Sequence, residues 1–174
     1  MTAISRSLAI LVTVWLLLGL ESPLLQQFHL SFFAPDLALL AVVWVSLHLP
    51  PTSGMLTCLL IGFLKDGFVM AVPIGMHMEI FVVLYLVGRF FAGRILVKGL
   101  VTLMVTSVFA SLMATLLFLL LTLLFDKNFT SFSLVLRLML PVALVTAPFS
   151  PILFYLLDRI DRVFHRKTRG LGVL

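Results

Sequence analysis

The sequence predicts an all-α membrane protein, a polytopic bundle of six transmembrane helices with both ends of the chain on the cytoplasmic side. Three observations predict it. Of 174 residues, 62% are hydrophobic and 11% charged, with mean hydropathy +1.25. Long apolar runs are divided at intervals by Pro, Gly and polar clusters. The basic residues gather on one side of that pattern. Soluble domains carry about 25% charged and roughly 45–50% apolar residues. A soluble globule this small buries only about 70% of its unfolded surface, which would leave the apolar excess in water. The bilayer is the remaining solvent.

A membrane helix needs about 20 apolar residues at 1.5 Å rise each. The first span is expected at about 4–22, its exit marked by Glu21, Ser22 and Pro23; Gln26–Asp36 then reads as interfacial. Leu37–Leu64 carries no Asp, Glu, Lys or Arg, but Pro50-Pro51-Thr52-Ser53-Gly54 divides it. Consecutive prolines remove two donors and push the residue before each out of the helical region, so a turn is expected there. That sets spans two and three at about 33–49 and 54–70, both short, as suits helices inside a bundle or a locally thinned bilayer. A Pro73–Gly75 connection leads to span four at about 74–92. Span five, 99–125, holds no charge, and 126–131 is polar turn material in which Asp126 should be wet. Span six, about 134–157, contains Pro141, Pro148 and Pro151 and is expected to kink there. The whole chain, 1–174, reads as one integral domain whose last stretch, 158–174, is a basic cytoplasmic tail.

Orientation follows from the basic residues. With the N-terminus inside, the inner side holds Arg6, Arg89, Arg94, Lys98, Arg159, Arg162, Arg166, Lys167 and Arg169. The outer side receives only Lys127 and Arg137. Nine against two is a positive-inside pattern. The net charge of +5 therefore marks a lipid-facing flank rather than a nucleic-acid surface. The single cysteine, Cys58, permits no internal disulfide. No internal repeat stands out, as an inverted-repeat transporter would be expected to show.

Ionisable residues at membrane depth are costly and normally have a role. Asp36, Lys65, Asp66, His77 and Glu79 are expected at one level, just below the outer surface, and Arg89 near the inner one. Three readings of the outer level stand side by side. The groups reach interfacial water, or Lys65 or His77 pairs with a carboxylate across helices, or they line a pocket for a ligand or a partner's polar residue. Lys65 and Asp66 are neighbours pointing about 100° apart, so they do not pair with each other by spacing. His77 and Glu79 face apart, unlike the ligands of HExxH, so no metal is expected. No serine lies in a GxSxG context, so no catalytic residues and no cofactor are expected. Ser107, Ser111 and Ala110, Ala114 are small-xxx-small steps suited to close helix approach. The inner basic patch (Arg89, Arg94, Lys98 and the tail) reads as lipid-facing.

Residues 35–89 carry a resemblance. Pro35-Asp36 opens an apolar helix, Gly54 follows, and then come Gly62-Phe63-Leu64-Lys65-Asp66 and Pro73-Ile74-Gly75-Met76-His77, with Leu84-Tyr85-Leu86-Val87-Gly88-Arg89 closing the region. In order and spacing this stretch resembles the rod shape-determining protein MreD family of bacterial inner-membrane proteins. Cys58, where the family often has Gly, and Lys65 beside the Asp depart from the pattern. The resemblance implies a non-enzymatic subunit of the cell-elongation machinery, a multi-pass cell-membrane protein. Its implied partners are a single-span MreC-like protein, the MreB cytoskeleton and the polymerase and transpeptidase of peptidoglycan synthesis. Pro35, Asp36, Gly62, Asp66, Pro73, Gly75, His77 and Gly88 become the expected structural or partner-binding residues. The competing expectation is a substrate-binding subunit of a small-solute (vitamin) transporter, with its ligand at the outer polar level.

Overall fold

A computed structural model describes residues 3–27, 34–69, 75–92, 99–125 and 132–169, with side chains at 5–21, 34–69, 75–92, 99–125 and 133–163. Within these, the elements are six α-helices: α1 Ala3–Gln27, α2 Leu37–His48, α3 Pro51–Phe68, α4 Met76–Ala92, α5 Leu100–Phe125 and α6 Phe132–Arg169. By length and composition, α5 and α6 are each able to cross a membrane.

The centre of the bundle is α2. Every residue from Ala38 to Ser46 is buried, with Ala38–Val42, Trp44 and Val45 fully so. A helix that is apolar all round has no face suited to water and is buried either by other helices or by lipid; here it is other helices. α1, α3, α4, α5 and α6 all pack on it. By contrast, only Ser107, Ser111, Leu119 and Thr122 are buried on α5, which leaves Val101, Val105, Phe109, Leu116, Leu120, Leu123, Leu124 and Phe125 exposed. The small-residue steps lie on the packed face, as expected for close approach: Ser107 and Ser111 are buried, and Ala110 and Ala114 touch the core.

Several boundaries differ from expectation. α1 runs through Pro23 to Gln27 rather than stopping at 22. Pro23 removes one i→i−4 donor, yet the helix continues past it. α2 is 12 residues, about 18 Å long, rather than the 17 expected at 33–49. Asp36 caps it, its carboxylate Oδ1 accepting from Leu39 N at 3.0 Å, so the helix starts after the acid. The turn expected over residues 50–54 is shorter than that. Leu49 ends α2, Pro50 is extended, and Pro51 is already the first residue of α3, so the third helix begins at 51 and ends at 68. Proline at a first helical position loses nothing, because that N–H has no intrahelical partner. α4 starts at Met76, two residues later than expected, after Gly75 at φ +107°. That left-handed conformation suits glycine.

The largest correction is α6. It continues to Arg169, so the stretch expected as a basic tail after 157 is helical over 158–169. Pro141, Pro148 and Pro151 lie inside one continuous helix. Pro151 leaves the carbonyl of Ala147 without its usual donor, and Ser150 Oγ donates to that oxygen at 2.7 Å. The expectations for Pro73, Arg94, Lys98, Asp126 and Lys127 lie outside the described residues.

Candidate functional site: two polar layers at the ends of α2

Helices α2 and α4 run one way and α3 the other, so the starts of α2 and α4 meet the end of α3. At this end the structure assembles four of the five residues expected at the outer level. Asp36 sits at the start of α2. Besides capping Leu39 N, its carboxylate forms an ion pair with Lys65 in the last turns of α3. Its own N–H donates to Thr146 Oγ1 of α6 at 3.1 Å, and Thr146 in turn donates to Val142 O at 2.7 Å. One residue thus joins α2, α3 and α6.

Asp66 does the corresponding job for α4. Its side chain is fully buried. Oδ2 accepts from Gly75 N at 2.8 Å, and Oδ1 accepts from His77 N at 3.1 Å and His77 Nδ1 at 2.7 Å. The first N–H groups of any helix lack intrahelical partners, and an anion there also meets the positive end of the helix dipole. A carboxylate from α3 therefore caps α4 across the 69–75 connection. Lys65 and Asp66, 100° apart, serve different neighbours: one reaches back to α2 and the other forward to α4. Cross-helix pairing is the reading of the outer level that this geometry matches. Glu79, exposed on α4, joins neither pair. Glu21, which was expected outside, lies close enough to feel the charges of Asp36 and Lys65, and its Oε2 is buried.

The expected glycines mark close crossings between these helices. A Cβ on Gly62 would lie 2.5 Å from Met78 Cα and 2.7 Å from Met78 N, so α3 and α4 touch backbone to backbone there. A Cβ on Gly88 would stand 2.5 Å from Ser46 Oγ, and one on Gly54 2.5 Å from the Tyr85 hydroxyl. Gly75 has open space around it, and its φ accounts for the glycine. Pro35, half-buried, precedes the cap, and its carbonyl accepts from Leu37 N at 3.1 Å. Cys58 is fully buried in the core.

Sequence reasoning missed a second layer at the other end of α2. There Arg6 Nη2 of α1 donates to Asp161 Oδ2 of α6 at 2.9 Å, and Nε lies against the other carboxylate oxygen. The Arg6 guanidinium sits 5.9 Å from the ring centre of Trp44. Trp44 Nε1 donates to Asp158 Oδ1 at 2.7 Å, and His48 stacks on the Trp44 ring with centroids 4.4 Å apart. The Trp44 carbonyl accepts from His48 Nδ1 at 3.0 Å. A signal was present: Asp158 and Asp161 are three apart and share a helix face. The basic character of the 158–174 stretch hides it. Arg89, Arg159 and Arg162 are exposed at this end, and the side chains of Arg166, Lys167 and Arg169 lie outside the described ones.

Asp158→Ala is expected to leave the indole N–H of a buried Trp44 unpaired, at a cost of about 1–3 kcal/mol. Asp158→Asn keeps an acceptor and should lose less than half of that. Thermal unfolding in mild detergent reads both.

The described residues hold no group of three or more His, Cys, Asp or Glu able to bind a metal. In comparison with known proteins, no family model, no curated protein and no solved structure matches this chain.

Proposed function

We propose that the chain is a six-span protein of the bacterial inner membrane, with both ends cytoplasmic, and a non-enzymatic scaffold of the cell-elongation complex. In this reading it resembles the MreD family in role as well as in motif. It would organise peptidoglycan synthesis with a single-span MreC-like partner, the MreB cytoskeleton and the elongation polymerase and transpeptidase. The observation that carries the reading is a coincidence of residues. Asp36, Gly62, Asp66, Gly75, His77 and Gly88 bear the resemblance. These same residues cap α2 and α4, set the α3–α4 and α2–α4 crossings and make the turn into α4. A motif spent on holding helices in register suits a protein whose work is to present a rigid surface. The membrane placement is supported by exposed large apolar side chains on the outward face of α5 and along α6, such as Leu140, Leu144, Ile152 and Tyr155. The short α2 is compatible with spanning because other helices cover both its polar ends.

Depletion in a rod-shaped host is expected to round the cells and scatter nascent wall synthesis. Purification in mild detergent should bring down a single-span periplasmic partner. Rods that keep their shape after clean depletion would overturn the scaffold role. Reporter fusions at Leu174 and in the 126–131 segment should report cytoplasm and periplasm respectively; the reverse would overturn the orientation.

One observation favours the competing reading, a solute-binding subunit of a vitamin-type transporter. A cavity of about 220 Å³ opens beside the outer polar layer, with Asp36, Lys65 and His77 on its wall. A scan of water-soluble vitamins by thermal stabilisation separates the two, because a ligand of the folded state raises its stability by mass action.

A further inference from the structure

The cavity beside the outer polar layer carries more information than its volume. Its polar wall is Asp36, Lys65 and His77 with Thr115, whose hydroxyl donates to Ser111 O, and its apolar wall includes Phe81 of α4, Phe118 of α5 and Leu138 of α6. Each polar group keeps hydrogen-bonding capacity beyond its known partners. An ammonium has three donors, and Lys65 Nζ spends one on Asp36. The Asp36 carboxylate has about four acceptor sites and uses one on Leu39 N and one on Lys65. His77 commits Nδ1 to Asp66; a carboxylate only accepts, so Nδ1 carries the hydrogen and Nε2 of the neutral ring is an acceptor. The wall therefore offers one cation and one anion side by side, with a further acceptor next to them. A purely anionic ligand meets Asp36, and a purely cationic one meets Lys65. A ligand carrying both charges meets each with its opposite.

We infer that this cavity binds a small zwitterionic group, its anionic oxygens on Lys65 and its ammonium on Asp36 and His77. Two sources share that chemistry: the headgroup of an aminophospholipid, and a free small zwitterion. The lining residues lie one to three turns from the outer ends of α5 and α6, a depth that both sources reach from the outer side. The inference rests on the membrane placement proposed above, but not on the choice between scaffold and transport.

The test is thermal unfolding of the full chain in nanodiscs. Discs of phosphatidylglycerol alone are compared with discs containing phosphatidylethanolamine, and with phosphatidylglycerol discs given free phosphoethanolamine. At about 100 times the dissociation constant, binding should raise the midpoint by roughly 5 °C or more. A rise with phosphatidylethanolamine alone assigns the lipid source, and a rise with phosphoethanolamine assigns the free one. Val135→Phe and Leu138→Trp narrow the cavity from α6, away from the close-packed small residues of α5, and each should abolish the rise. No rise from either source, an equal rise with the anion inorganic phosphate, or a rise that survives both fillings would overturn the inference. Flotation of the protein with liposomes reports the membrane placement separately.

Discussion

Asp66→Ala should lower the stability of the protein by about 3–5 kcal/mol, one of the two largest single-residue effects expected in this chain. The carboxylate is fully buried and accepts three hydrogen bonds, two of them from backbone N–H groups, those of Gly75 just before α4 and His77 in its first turn. Its removal leaves those donors without a partner where water does not reach, each costing about 1–3 kcal/mol. It also frees His77 from the contact that orients it. Asp66→Asn sorts these contributions. Its remaining oxygen still serves His77, while its amide turns a donor toward Gly75 N–H, so an intermediate loss is expected. Glu79→Ala, on the exposed side of the same helix, should stay within about 0.5 kcal/mol. Asp126→Ala, in the segment read as a wet turn, should do the same. Unfolding midpoints in detergent, checked by the yield of monodisperse protein, measure all four. Equal and negligible losses from Asp66→Ala and Glu79→Ala would mean that the outer layer is solvated rather than structural.

Gly62→Val should be at least as damaging, for a steric reason. A Cβ there meets Met78 Cα, Met78 N and His77 O at 2.5–2.8 Å, and all three are backbone atoms. Side chains yield by changing rotamer, but a helix backbone yields only by moving the helix. Inserting even one methyl into such a contact costs typically 1–3 kcal/mol, and the bulkier valine more. Gly62 is one turn before Asp66, so separating α3 from α4 there also pulls the carboxylate from the start of α4. The two effects are coupled. The loss in Gly62→Ala/Asp66→Ala together should fall short of the sum of the single losses by more than about 0.5 kcal/mol. Gly67→Ala is the control: nothing lies within 4 Å of its Cβ, and alanine favours helix over glycine, so stability should be unchanged or slightly raised. A comparable loss at Gly67 would show that the penalty at Gly62 is not the helix crossing.

Both predictions involve residues that were legible before any fold was known, although their partners were not. Charge inside an apolar run marked Asp66, and a glycine four residues earlier on the same face accompanied it. That Asp66 caps α4 while Lys65 turns to α2 follows only from the antiparallel placement of three helices. Glu79 shows what local periodicity does carry. It shares a depth with His77, the helical period turns the two apart, and Glu79 is exposed outside both pairs. Depth and relative facing are local properties of sequence; which neighbour a face meets is not.

The sequence by itself determined the apolar character of the chain and its partition into the six described helices. Both follow from local quantities: apolar run length, proline and glycine punctuation, and the sum of transfer costs along each run. The shortness of α2 hinted at a place inside the bundle, but only the tertiary structure decided that α2 is wrapped by five helices while α5 lies at the periphery, since both are almost wholly apolar. It likewise decided that α6 continues to Arg169 and that Arg6 and Trp44 meet Asp161 and Asp158 across more than 110 positions of sequence. An ion pair of that separation is set by which helices are neighbours. Neighbours are chosen by packing all six helices at once, and no single segment encodes that choice.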